Sequence, residues 1–180
     1  NVLGDHLAQT GGFVRVAAPL LEWEHRFPLM LDTIKAVGPH VLCMQEVTHF
    51  DQFQSGLGHL DGVFNPKNYG PVRSQGVLYQ HHPLPSPHSR WVGRPRTRGW
   101  CCRHVGPRRV CQGSGARHVV VAATHLKAKK GAENEAKRHH QMSYMMERLA
   151  SVVSGVPGEP PVLLTGDFNS APEDSTRAVV

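Results

Sequence analysis

Pro161-Val162-Leu163-Leu164-Thr165, followed by Gly166-Asp167-Phe168-Asn169, decides the fold of this 180-residue chain. The apolar run is short and stops at a glycine, which predicts a buried β-strand. Beyond it Asp167 and Asn169 stand at i and i+2, a spacing that puts two side chains on one face of an extended chain. The strand tip is therefore expected to aim a carboxylate and an amide oxygen at one point. Hard cations such as Mg²⁺ take oxygen ligands of this kind and leave their other positions to water and substrate phosphates.

Working outward, two more apolar runs end in the same way. Val41-Leu42-Cys43-Met44 is a short strand that runs out at Gln45-Glu46, and Val119-Val120-Val121-Ala122-Ala123 ends in Thr124-His125-Leu126-Lys127. Open α/β sheets place ligand sites at the C-terminal ends of their strands. Asn1-Val2-Leu3 puts a further polar oxygen beside apolar residues. Between the strands, Trp23 to Val37 reads as a helix with the stripe Phe27, Met30, Leu31 and Ile34. Pro28 predicts that its regular part begins there, and Gly38-Pro39 ends it. A shorter helix is expected over Asp51 to Leu60, carrying Phe53 and Leu57. Residues Ala132 to Val153 predict a long helix whose buried face is Met142, Met145, Met146 and Leu149, at i, i+3, i+4 and i+7. Alternating helices and strands argue α/β packing, and the length suits one domain.

Taken singly, a Glu after a strand is a solvated loop carboxylate, a Thr-His pair is an ordinary strand end, and Gly-Asp-x-Asn is a turn signature. Their joint order changes that reading. With Leu7-Ala8-Gln9, Trp23-Glu24-x-Arg26, Phe50-Asp51-Gln52-Phe53-Gln54, Lys127-Ala128-Lys129 and Ser170-Ala171-Pro172, the chain resembles the endonuclease/exonuclease/phosphatase family, and within it the deadenylase group. The resemblance covers residues 1–70 and 118–175. It implies a four-layer α/β/β/α sandwich with mixed β-sheets and Mg²⁺-dependent phosphoester hydrolysis, either at RNA 3′ ends or on a nucleotide phosphate. It also implies roles. Asn1 and Glu46 would hold the principal Mg²⁺. His125 would hydrogen-bond the scissile phosphate. Asp167 would orient the attacking water and touch a second metal, and Asn169 would contact the phosphate. Lys127 would bind the substrate phosphate or nucleotide. Phosphoryl transfer asks mainly for positioning and charge neutralisation, which a metal and a few fixed donors supply.

The chain also departs from that family. The resemblance leads one to expect a strand before Asn1 and a closing Ser-Asp-His, and no Ser-Asp-His occurs in these residues. The expectation is a single, incomplete domain with little hydrolytic activity of its own. The alternative is a non-catalytic remnant that binds metal or nucleotide weakly. From Pro71 to His118 there are nine Arg and six Pro but no Lys, Asp or Glu. Gly76-Val77-Leu78-Tyr79 looks like a strand, after which the apolar pattern stops. Residues of about 80–117 are therefore read as an atypical Arg/Pro-rich segment, of the composition a shifted reading of GC-rich coding DNA produces. Cys101, Cys102 and Cys111 lie in it at no recognised zinc spacing.

The formal charge of +6 rests on this segment, since without its arginines eleven basic side chains face fourteen acidic ones. The net charge is thus no argument for a polyanionic partner. A second basic cluster, Lys127, Lys129, Lys130, Lys137 and Arg138, lies where the family pattern holds. His139 and His140 are expected on the surface. No apolar run reaches the roughly 18 residues of a membrane span, so no membrane partner is expected. A cytoplasmic location is the default, with nothing in the residues to separate it from a mitochondrial or nuclear one.

Overall fold

A computed structural model of the chain describes residues 1–65, 75–80, 100–105 and 118–180. They belong to two compact units, Asn1–His81 and His82–Val180. No helix among the described residues is long and apolar enough to cross a membrane.

The first unit opens with two short helices, α1 (Asp5–Thr10) and α2 (Ala18–Leu21), and the longer α3 (Trp23–Val37). Strand β1 (Val41–Gln45), helix α4 (Phe50–Gly56), and strands β2 (Leu60–Asn65) and β3 (Gln75–Gln80) follow. The strands form an antiparallel sheet in the order β1-β3-β2. The expected apolar stripe of α3, Phe27, Met30, Leu31 and Ile34, packs with Trp23, Met44, Phe50, Phe53 and Leu57 into the core. Trp23 stacks on Phe27 at 5.2 Å and meets Phe53 edge-on at 5.8 Å.

Two expectations change here. Helix α3 begins at Trp23 rather than at Pro28, which lies inside it. Its first turn is closed by His25 and Arg26 donating to the Glu22 carbonyl, and burial of Trp23 holds that turn although Pro28 removes one later backbone donor. Helix α4 stops at Gly56, and Leu60 opens β2 instead of closing the helix. Phe53, Leu57 and Leu60 keep helical spacing in the sequence, but pairing of Leu60 with Gln80 draws it into the sheet. The strand expected at Gly76–Tyr79 is β3, the middle of that sheet.

The second unit holds β4 (Trp100–Val105), β5 (Val119–His125), α5 (Ala132–Ser154), β6 (Val162–Asp167) and a 3₁₀ turn at Ser175–Val179. Its sheet is mixed: β5 is central, antiparallel to β4 and parallel to β6. Helix α5 is the connection that a parallel pair requires. Val120, Ala122 and Leu126 turn toward α5 and pack with Met142, Met145, Leu149 and Val152, with Leu164, Phe168 and Met146 alongside. His139 and His140 are exposed, as expected.

Two corrections belong to this unit. Strand pairing does not stop at β3, because β4 lies inside the Arg/Pro-rich segment and pairs along Trp100–Val105 with Val119–Thr124. The central strand β5 is buried along nearly its whole length, and its edge amides and carbonyls need partners there. The remainder of that segment, including Cys111, lies outside the described residues. Strand β6 is the predicted strand, but not a buried one: Val162 and Leu163 are 40% and 50% exposed. It ends the sheet order β4-β5-β6 among the described strands, and only Leu164 of its apolar run packs against the α5 core.

Candidate functional site

Strand alternation explains why the second unit has a polar corner. Residues 120, 122 and 126 of β5 and its extension face α5, so His125 points to the opposite side. Residues 164 and 168 of the β6 stretch also face α5, which sends Asp167 the same way as His125. Parallel register places His125 beside Asp167. The imidazole Nε2 lies 3.7 Å from Asp167 Oδ2, with the His125 side chain 2% and the Asp167 side chain 30% exposed.

Gly166 permits this register. Its φ is +138°, and a Cβ would stand 1.9 Å from the Thr124 carbonyl oxygen. No side chain fits there, so β6 can lie against β5 at its tip only with glycine. Asn169 reaches the corner by a turn rather than by strand alternation. The strand ends at Asp167 and Asn169 takes a left-handed φ of 51°. Its backbone N–H donates to Asp167 Oδ1 at 2.9 Å and its Nδ2 to the Leu126 carbonyl at 3.2 Å. The Leu126 N–H donates to the Asp167 carbonyl at 2.9 Å. The expected Asp167–Asn169 neighbourhood is present, and His125 belongs to it.

Lys127 follows in the segment joining β5 to α5. Its N–H donates to Gln141 Oε1 at 3.0 Å. Its carbonyl accepts from Arg138 Nη1 at 3.0 Å, and the Lys129 carbonyl accepts from the same atom at 2.8 Å. Arg138 is buried and paired with Glu135 at 2.8 Å. Glu135 also accepts from Ser175 Oγ at 3.0 Å, and from the Thr176 N–H and hydroxyl at 2.8 and 2.7 Å. Burial works against ionisation of Glu135, but the two Thr176 bonds, Arg138 and Ser175 outweigh it and hold the carboxyl down at about 2.

In the first unit, Glu46 follows β1 with a left-handed φ of 61°. The Val2 N–H donates to the Gln45 carbonyl at 2.9 Å, which ties the Asn1 segment to this strand end. Gly4 packs so closely that a Cβ would lie 3.1 Å from the Glu46 carbonyl. Arg26 anchors the segment from α3. It donates to the Val2 and Leu3 carbonyls at 3.1 and 2.8 Å, to the Leu21 carbonyl at 2.8 Å, and to Asp5 at 2.8 Å. Asp5 also pairs with His49, whose ring lies 4.4 Å from that of Trp23. Asn1 and Glu46 are thus neighbours in one unit, and His125, Lys127, Asp167 and Asn169 in the other.

The donors suit a hard divalent cation. In the first unit Glu46 offers a carboxylate and Asn1 an amide oxygen; in the second, Asp167 offers a carboxylate. Among the described residues no group of three or more His, Cys, Asp and Glu could hold a metal by itself. Of the supporting residues, Arg26 entered the sequence reading only within Trp23-Glu24-x-Arg26 and Arg138 only within a basic cluster, while Asp5, Glu135 and Gln141 were not singled out. For Arg138 a signal existed: it precedes Met142, Met145 and Leu149 at i+4, i+7 and i+11, on the buried face of α5.

Comparison with known proteins gives the family. Residues 1–179 match the Endonuclease/Exonuclease/phosphatase family. The chain belongs to that family. It is 32% identical over 196 residues to Nocturnin of Drosophila melanogaster, aligning 100% of this chain with 29% of that relative. The human Nocturnin catalytic domain with bound sulfate anion matches with a TM-score of 0.67 and 26% identity, covering 87% of this chain and 61% of that one. ANGEL2, a 2′,3′-cyclic phosphatase in complex with adenosine-2′,3′-vanadate, matches at a TM-score of 0.74 and 21% identity, over 96% of this chain and 53% of that one. The shared fold is an α/β sandwich. The chain spans 29% to 47% of the length of the curated relatives it matches.

Proposed function

We propose that the chain carries much of the site of a Mg²⁺-dependent phosphoester hydrolase acting on an RNA 3′ end or on a nucleotide phosphate. The observation that carries this reading is the His125–Asp167–Asn169 corner, in which the His125 and Asp167 side chains meet at the ends of β5 and β6 and Asn169 is bonded to Asp167 and to the Leu126 carbonyl. The sulfate in the human Nocturnin catalytic domain supports it, since sulfate is a tetrahedral oxyanion like phosphate.

Asn1 and Glu46 would hold the principal cation, and Asp167 would touch a second one. The cation supplies charge neutralisation at the phosphate. His125 donates a hydrogen bond to the phosphate from a buried position, where such a bond is stronger than in water. Asn169 turns its amide to the phosphate, using the Nδ2 hydrogen that does not bind the Leu126 carbonyl. Asp167 accepts a proton from, or orients, the attacking water. Lys127 adds a positive charge for the substrate phosphate.

The test is hydrolysis by the purified chain in Mg²⁺, with an oligoadenylate and a dinucleotide bearing a 2′-phosphate as alternative probes. Product from one of them, reduced by about 10²-fold or more in Glu46→Ala, supports the reading and selects the substrate. Turnover that survives Glu46→Ala and chelation of the metal rejects it. Probe binding without turnover establishes the second reading, a chain that holds nucleotide and does not hydrolyse it.

A further inference from the structure

The segment between His125 and Gly131 has no regular structure of its own, and Lys129 within it takes a φ of +81°. A non-glycine residue in that region is strained and persists only where its surroundings impose it. The surroundings here are side chains of α5. Arg138 is 3% exposed and lies on the helix face otherwise lined by Met142, Met145 and Leu149. A methionine would continue that apolar face with no charge to bury, and burying a guanidinium is unfavourable unless its donors are used. They are used on both sides. Nη1 holds the carbonyls of Lys127 and Lys129, while Nε and Nη2 hold Glu135. Glu135 is fixed in turn by Ser175 and Thr176. Gln141, one turn along the helix, accepts from the Lys127 N–H. Both backbone polar groups of Lys127 are therefore gripped by α5.

We propose that Arg138 and Gln141 are positioning residues, which hold the Lys127 backbone so that its ammonium group meets a substrate phosphate. The inference rests on the phosphate-binding role proposed for Lys127. It adds that this role depends on two residues that do not touch the substrate.

The test needs no turnover. Binding of adenosine 5′-monophosphate to the full chain is measured without added Mg²⁺ for the unmodified protein, Lys127→Ala, Arg138→Met and the double variant. Lys127→Ala is expected to weaken binding by about tenfold and Arg138→Met by a similar factor, with the double variant within about twofold of either, the non-additivity of groups acting as one unit. Amide exchange of Lys127 should quicken in Arg138→Met. Because that substitution strands Glu135, the cycle is repeated with Gln141→Leu, which leaves the ion pair intact. Lys137→Ala, an exposed lysine of the same helix, should change nothing. If Lys127→Ala costs the same factor in the Arg138→Met and Gln141→Leu backgrounds, the two residues are merely structural and the proposal is overturned. It is also overturned if the unmodified chain does not bind the nucleotide, or if Lys127→Ala does not weaken binding. A coupled cycle in a chain that hydrolyses nothing would leave this inference standing and reject the hydrolase reading.

Discussion

Arg26 in the first unit and Arg138 in the second both fork onto backbone carbonyls of a segment that bears site residues, but over different distances. Arg26 reaches 23 and 24 residues back along the chain, to Leu3 and Val2. Arg138 reaches 9 and 11 residues, to Lys129 and Lys127. The side chains of Arg26 and its partner Asp5 are 13% and 27% exposed, against 4% and 17% for Arg138 and Glu135. Closing a longer stretch of chain costs more entropy, and a more exposed pair is weakened more by salt. The Asn1–Glu46 corner is therefore the softer one. The Lys127 segment is held locally and in a drier setting.

The largest effect should come from Gly166→Ala, which removes the second corner and leaves the first. A Cβ placed 1.9 Å from the Thr124 carbonyl cannot be relieved without separating β6 from β5. The expected cost is about 4 kcal/mol or more, read as loss of cooperative thermal unfolding. A melting temperature within a few degrees of the parent would refute the register at the strand tips.

Next come the two arginines compared directly. Arg138→Met takes the cation from Glu135, whose side chain is 17% exposed, and should cost about 3 kcal/mol. Arg26→Met removes charged hydrogen bonds in a wetter place and should cost about 1.5–3 kcal/mol. Urea denaturation decides between them, and the reverse order would break the contrast. Hydrogen exchange sharpens it further. Arg26→Met should quicken the Val2 amide and leave Lys127 and Lys129 unchanged.

The smallest effect is on acidification. The Glu135 carboxyl is held at about 2, below its ordinary 4.5. A depressed carboxylate contributes stability that is fully present above the unfolded value and disappears as pH falls through the folded one. Protection of the Lys127 amide should therefore persist at pH 4 and fall away toward pH 2. Glu135→Gln should remove that dependence. Protection lost already near pH 4.5 would show that the Thr176 and Arg138 bonds do not control this group.

Much of the fold is legible locally. Val119–His125, Val41–Gln45, Gly76–Tyr79 and the Met142 face of α5 follow from apolar periodicity, and the three strand ends carry the expected Glu46, His125 and Asp167. The misses share a cause. Pro28 was expected to start a helix, yet Trp23 nucleates the turn ahead of it through burial. Leu60 fits a helical stripe but belongs to β2, because β3 pairs with it. Trp100–Val105 shows no alternation and becomes a strand because β5 has an edge to satisfy. Val162 and Leu163 read as buried and are half exposed, since an apolar run records what a residue prefers and not what arrives to cover it.

The sequence by itself determined most of the strands and the long helices, the glycine at the β6 tip and the identity of the polar residues following each strand. Those are properties of a few neighbouring residues, in which periodicity and steric freedom decide. The tertiary structure alone decided that Asn169 reaches Asp167 by a left-handed turn, and that Arg26 faces inward rather than into solvent. An arginine is buried only where carbonyls and a carboxylate meet its donors. For Arg26 the Val2 and Leu3 carbonyls lie 24 and 23 residues away, beyond the reach of any local pattern.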